Sequence, residues 1–128
     1  MTAQTTEARV RELGTLEAAV MQRLWAWGAG VSTRDVVTDL QRDRDIAYTT
    51  VMTVLDNLHR KGLVRRTKVG RAFQYEAVES REAHVAGLLE DVLGDGGDRS
   101  GTLMRFVGRL DPSEQAELRR MLDEATEP

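Results

Sequence analysis

Residues 47–77, AYTTVMTVLDNLHRKGLVRRTKVGRAFQYEA, carry two structural periods in succession. From 49 to 61 the apolar residues recur with helical spacing. On a wheel turning ~100° per residue, Val54, Leu55 and Leu58 fall within about 60° of Val51. That stripe is the expected core face, and Gly62 closes the helix because glycine takes the left-handed conformation at helix ends at little cost. The opposite face carries Thr49, Thr53, Asp56, Asn57 and Arg60, with Thr50 on its flank. Period two then takes over. Residues 63–68 and 72–77 flank Val69-Gly70-Arg71, which predicts a β-hairpin with Phe73 and Tyr75 turned to the buried side. The segment is also basic: between 60 and 77, Arg60, Lys61, Arg65, Arg66, Lys68 and Arg71 stand against Glu76 alone.

Two helices precede this stretch. The first is signalled by Thr15 as N-cap and Glu17 in the first turn, then Leu16, Val20 and Leu24 at helical spacing, widened by Met21 and Trp25. It should stop in the glycines of residues 27–30, with Trp25 and Trp27 as packing residues. Ser32, followed three residues later by Asp35, is a variant capping box opening a short helix with Val36, Val37 and Leu40 inward. Three helices and a basic hairpin, with the third helix polar on its free face, is the element order of a winged helix-turn-helix. Its expected extent is 13–78, and residues 1–12 are polar and aperiodic, as in a flexible tail.

Beyond 78 the pattern is helical throughout, giving a mainly α chain with one small hairpin. Val85, Leu88, Leu89, Val92 and Leu93 form one stripe. Residues 94–101, four of them glycine, are expected to be a mobile spacer. Leu103, Phe106, Val107 and Leu110 form a second stripe. A last helix has Asp111 at the N-cap, Pro112 at N1 and Glu114 at N3, with Leu118, Met121, Leu122 and Ala125 on one face. About 50 residues cannot bury three such stripes alone. Residues 79–128 are therefore expected to form a helical dimerisation region that closes on the same segment of a second copy, a homodimer.

Charge follows the same division. The chain of 128 residues has a net charge of -3, but residues 1–77 hold 12 Lys or Arg against 9 Asp or Glu, while residues 78–128 hold 6 against 12. A cationic first part on an acidic whole favours a polyanion partner bound locally. With no cysteine, thiolate metal sites, disulfides and cysteine nucleophiles are excluded. His59 and His84 stand apart, without ligand spacing, and read as surface or helix-end residues. The glycines of 94–101 lack the Lys-Ser/Thr of a phosphate loop. No enzyme activity, metal or cofactor is expected. No run approaches the ~18 apolar residues of a membrane span, and the N-terminus lacks a signal-peptide pattern, which predicts a cytoplasmic protein without membrane insertion.

The implied partner is double-stranded DNA. Thr49, Thr50 and Thr53 can reach base edges or phosphates from the first turns of the third helix, with Asn57, Arg60 and Lys61 further along. Arg65, Arg66, Lys68 and Arg71 are the candidate phosphate contacts of the wing. Asp56 runs against this pattern; it can pair with Arg60 at i, i+4 or accept from a cytosine amino group. Two alternatives fit the same pattern: a winged helix that binds an acidic protein partner, and a regulator that senses a small ligand at the dimer interface.

Leu16-Glu17, Val20-Met21, Leu24-Trp25, the block from Ala47 through Leu55, Leu58, Lys61-Gly62-Leu63-Val64, Gly70-Arg71, Phe73 and Tyr75 resemble the BlaI/MecI/CopY family of penicillinase repressors across nearly the whole chain. The resemblance implies a homodimeric repressor on palindromic operators that controls β-lactamase or related antibiotic-resistance genes in a β-lactam response. It also implies a membrane-bound sensor protease as partner and cleavage at an asparagine-phenylalanine bond in the dimerisation region. The matching bond here is Arg105-Phe106, where the phenylalanine is kept and the asparagine is not. The cysteine cluster of the copper-responsive branch has no counterpart.

Overall fold

Glu17 reaches back to the backbone N–H of Gly14 at 3.0 Å, and this bond starts the first helix of the computed structural model. The structure describes residues 13–94 and 96–126; the tail assigned to 1–12 lies outside them. Helix α1 spans Thr15–Trp27 with Gly14 as its cap, so Thr15 is the first helical residue rather than the N-cap. The cause is the N3 carboxylate: it supplies the backward half of a capping box, and glycine lacks the side chain to supply the other.

A two-residue strand β1 (Val31–Ser32) follows, and helix α2 (Thr33–Leu40) opens on the expected box, with Ser32 Oγ accepting from Asp35 N at 3.1 Å and Asp35 Oδ2 from Ser32 N at 3.0 Å. Helix α3 (Tyr48–Arg60) ends at Gly62, whose φ of 79° is the left-handed stop that the sequence implied. Strands β2 (Val64–Val69) and β3 (Ala72–Ala77) form the hairpin; Gly70, at φ 65°, makes its tight turn. The antiparallel sheet has the order β1-β3-β2, with Val31 opposite Tyr75 and Arg66 opposite the same Tyr75 on the other side.

The core of the winged unit is drawn from the stripes predicted for its three helices and from the hairpin. Val20, Met21 and Leu24 of α1, Val36 and Leu40 of α2, and Val51, Leu55 and Leu58 of α3 are all essentially inaccessible. Leu63, Val64 and Tyr75 close it from the hairpin side. Three aromatic or ring-bearing residues depart from expectation. Trp27 and Phe73 are exposed, Trp27 because it is the last helical residue before the Gly28 stop and Phe73 because it lies toward the tip of the hairpin. His84 is the opposite case, at 2% exposure.

The reason lies in helix α4 (Arg81–Gly94), whose first turn packs on α1. The His84 ring lies 5.4 Å from the Trp25 ring, and the Trp25 indole N–H donates to the Glu79 carbonyl at 3.1 Å. Compactness divides the chain between Val92 and Leu93. The second unit contains helices α5 (Arg99–Gly108) and α6 (Pro112–Thr126). Gly101 is therefore helical and not spacer. A side-chain carbon at that position would fall 2.5 Å from Asp98 Oδ2, the end of a side chain that can turn away. Asp111 and Glu114 cap α6 reciprocally, at 2.8 and 3.1 Å, and Gln115 Nε2 donates to the Val107 and Leu110 carbonyls. Among the described residues, no helix is long and apolar enough to cross a membrane.

Candidate nucleic-acid interface

Helix α3 presents its threonine face beside the hairpin, and the two enclose an open groove of about 840 Å³. Its helical wall is Tyr48, Met52, Thr53 and Asp56; its sheet wall is Arg66, Arg71, Phe73 and Tyr75. Arg34, in the first turn of α2, reaches the same groove and sits over the Tyr48 ring at 5.7 Å. Three guanidinium groups therefore face one carboxylate, which leaves a cationic, concave surface of the kind a phosphate backbone follows. No side chain caps the N-terminus of α3, where Ala47 holds the N-cap position and its carbonyl accepts from Thr50 N at 3.1 Å.

Strand alternation sorts the basic hairpin residues by face. Val64, Arg66 and Lys68 share a side with Tyr75 and Phe73, which oppose the latter two. Lys68 thus shares the hairpin face of Arg66 without lining the groove itself. Arg65 projects from the other side, opposite Glu76, with which it pairs at 3.4 Å. Arg66 is held more firmly: its guanidinium lies 4.3 Å from the Phe73 ring centre and 3.4 Å from Asp56 Oδ1.

The α3 candidates separate in the same way. Thr49 and Thr53 occupy the exposed face together, the Thr53 hydroxyl donating to the Thr49 carbonyl at 3.0 Å. Thr50 is exposed beside them. Arg60 lies a turn further, hydrogen-bonded to Asn57 Oδ1 and 3.2 Å from Asp56 Oδ2, the expected i, i+4 pair. Lys61 turns elsewhere. Its Nζ donates to both Glu17 oxygens at 2.8 and 2.9 Å, tying the end of α3 to the start of α1. The groove thus gathers Thr53, Arg66 and Arg71 with Thr49 and Lys68 close by, while Lys61 and Arg65 are engaged outside it.

Arg34, Tyr48 and Met52 were not singled out by sequence. Met52 was legible in principle, since on the wheel it falls between the core stripe and the threonine face. Arg34 was not, because its approach to Tyr48 depends on how α2 packs against α3. Among the described residues, no three His, Asp or Glu side chains gather as a metal site.

Comparison with known proteins bears on the family and the fold. The profile of the family described as "Penicillinase repressor" matches residues 13–124. Two curated relatives from strains of Mycobacterium tuberculosis, both named transcriptional regulator BlaI, are each 43% identical over 120 residues, which covers 91% of this chain and 87% of the relative. Among solved structures, the YusO protein of Bacillus subtilis is similar with a TM-score of 0.52 at 13% identity, covering 93% of this chain and 78% of that one. A point mutant of MepR from S. aureus gives a TM-score of 0.51 at 18% identity, with 97% and 84% covered. At such identities the likeness is one of fold.

Proposed function

Because this chain belongs to the penicillinase repressor family, and is with it a DNA-binding transcriptional repressor rather than an enzyme, we propose that it works as a homodimer on near-palindromic operators, with the groove between α3 and the hairpin as its DNA surface. The observation that carries this assignment of the surface is the convergence of Arg34, Arg66 and Arg71 on the exposed threonine face of α3. In such a complex α3 enters the major groove, where Thr49 and Thr53 meet base edges, while Arg71 and Lys68 follow a phosphate strand. The two copies then address half-sites about one helical turn apart, or a multiple of it.

Pairing is assigned to the helices after 78. On the single chain Leu89 is 54% exposed, Val92 70%, Phe106 53% and Leu122 59%, apolar surface whose exposure costs free energy that a second copy removes. Val85, Leu103 and Met121 are exposed as well, and Leu88, Val107 and Leu118 are half-buried. The regulated genes in this proposal are β-lactamase or related resistance genes, and release from DNA follows cutting of the Arg105-Phe106 bond by a membrane-bound sensor protease. That bond lies inside α5, so the helix must open locally before a protease can hold it extended.

The test is a salt titration of binding to a duplex selected from a randomised pool. If each protomer neutralises roughly three phosphates, log K falls against log salt with a slope of about -5 for the dimer. Arg71→Gln should make the slope shallower and weaken binding to every sequence alike. A flat salt response would remove DNA as the partner of this groove.

A further inference from the structure

Asp56 is a carboxylate in the middle of a surface assigned to a polyanion, and the structure shows what occupies it. Its two oxygens face two different cations: Oδ2 lies 3.2 Å from Arg60 on the next turn of α3, and Oδ1 lies 3.4 Å from Arg66 on the hairpin strand β2. Arg66 is the more constrained partner, held on its other side by the Phe73 ring and only 28% exposed. Asp56 is itself about half exposed and lines the groove. One side chain therefore joins the recognition helix to the wing and neutralises two of the cations nearest the helix.

We propose that Asp56 is a specificity-determining residue that makes indiscriminate DNA binding weak. While it holds Arg60 and Arg66, a phosphate must compete with the carboxylate for either guanidinium, and it meets that carboxylate's own charge as it approaches. A duplex gives something in return only where it offers Asp56 a donor. In the major groove that donor is the N4 amino group of cytosine, which a carboxylate accepts from, whereas the N7 and O6 acceptors of guanine repel it. At a matching cytosine the carboxylate turns to the base, and Arg60 and Arg66 are freed for phosphates. The penalty thus falls on the wrong sequences and is lifted on the right one. This inference rests on the DNA-binding assignment of the groove and adds to it the residue that separates operator from bulk DNA.

The experiment uses the full chain and two probes: a scrambled 30-base-pair duplex, and the duplex pool enriched by the wild type from random sequence. On the scrambled duplex Asp56→Asn should bind roughly tenfold tighter than wild type, since two exposed ion pairs no longer compete. Its salt slope should be steeper by about one to two per protomer, one phosphate for each released arginine. Selection with Asp56→Asn should lose a cytosine preference in each half-site that wild type shows. The same substitution in an Arg60→Gln, Arg66→Gln background should gain clearly less on the scrambled duplex and leave the salt slope unchanged, because only the carboxylate's own repulsion of phosphate is then removed and it has no cation to withhold. Asp56→Ser serves as a second variant with the same expected direction. An unchanged affinity and slope for Asp56→Asn, or a gain of equal size in the arginine-free background, would overturn the proposal. Wild type that binds neither probe would instead overturn the DNA-binding assignment itself.

Discussion

His84 shows how a single side chain can defeat a reading based on spacing. Nothing in its neighbourhood distinguishes it from the half-buried His59, yet it is enclosed against Trp25, and among the described residues its Nε2 is buried without a hydrogen-bond partner. Glu79 is 3.9 Å from Nδ1, too far for a hydrogen bond. The ring therefore contributes packing more than polarity. His84→Phe keeps the shape and removes the orphan nitrogen, and should leave the melting temperature equal or higher. His84→Ala opens a cavity beside Trp25 and should cost about 2–3 kcal/mol in a denaturant titration. A Phe variant less stable than the Ala variant would mean that the imidazole nitrogens carry the junction. The exposed threonine face of α3 and the groove-facing Arg66 were legible because helix and strand periods fix faces locally. That Lys61 and Arg65 pair outside the groove was not legible, because their partners, Glu17 and Glu76, are set by tertiary packing and strand register.

At the scale of elements, caps and stripes were the most legible features, since each depends on residues no more than four apart. The box at Ser32 and the box at Asp111 are both present as expected. Strand β1 was not foreseen: two residues carry no alternation, and its pairing with Tyr75 and Gln74 exists only once the hairpin has folded against it. The limits of α5 were missed because glycine counts suggested a spacer, whereas Gly101 lies inside the helix. Asp111 offers a pH test at this scale. The backbone N–H of Glu114 holds its carboxyl below the ordinary value of 3.8, with further help from Ser113. A depressed pKa means that the cap supports α6 fully above 3.8, and its support is lost as pH falls below 3.8 through the folded-state value. Amide hydrogen exchange in the first turn of α6 should therefore be protected at neutral pH and lose that protection in acid. Asp111→Ala should show fast exchange at neutral pH, and Asp111→Asn, which still caps, should not. Equal protection in wild type and Asp111→Ala would remove the cap as the cause.

The whole molecule repeats in charge what it shows in burial. The cationic first part owns the closed core, and the acidic second part keeps its apolar residues outside: among the described residues, none in α5 or α6 is buried. Sequence implied that about 50 residues would not cover three such stripes alone, but which side chains stay exposed depends on packing. Leu122→Glu tests the assignment of this surface to pairing. It places a charge on a side chain already 59% exposed, so the winged unit should unfold as before. Sedimentation at micromolar concentration should give a monomer where wild type gives a dimer, and affinity for the selected duplex should fall with it. A variant that still sediments as a dimer would move the interface elsewhere.

The bareness of α5 and α6 has a consequence for control. In the proposed homodimer, a region whose apolar surface only a twin covers draws its stability from how many copies are present. Operator occupancy then rises with the second power of monomer number at low abundance. Below a certain copy number of such a dimer the gene escapes even with every molecule intact, so slowing synthesis alone would silence the repressor.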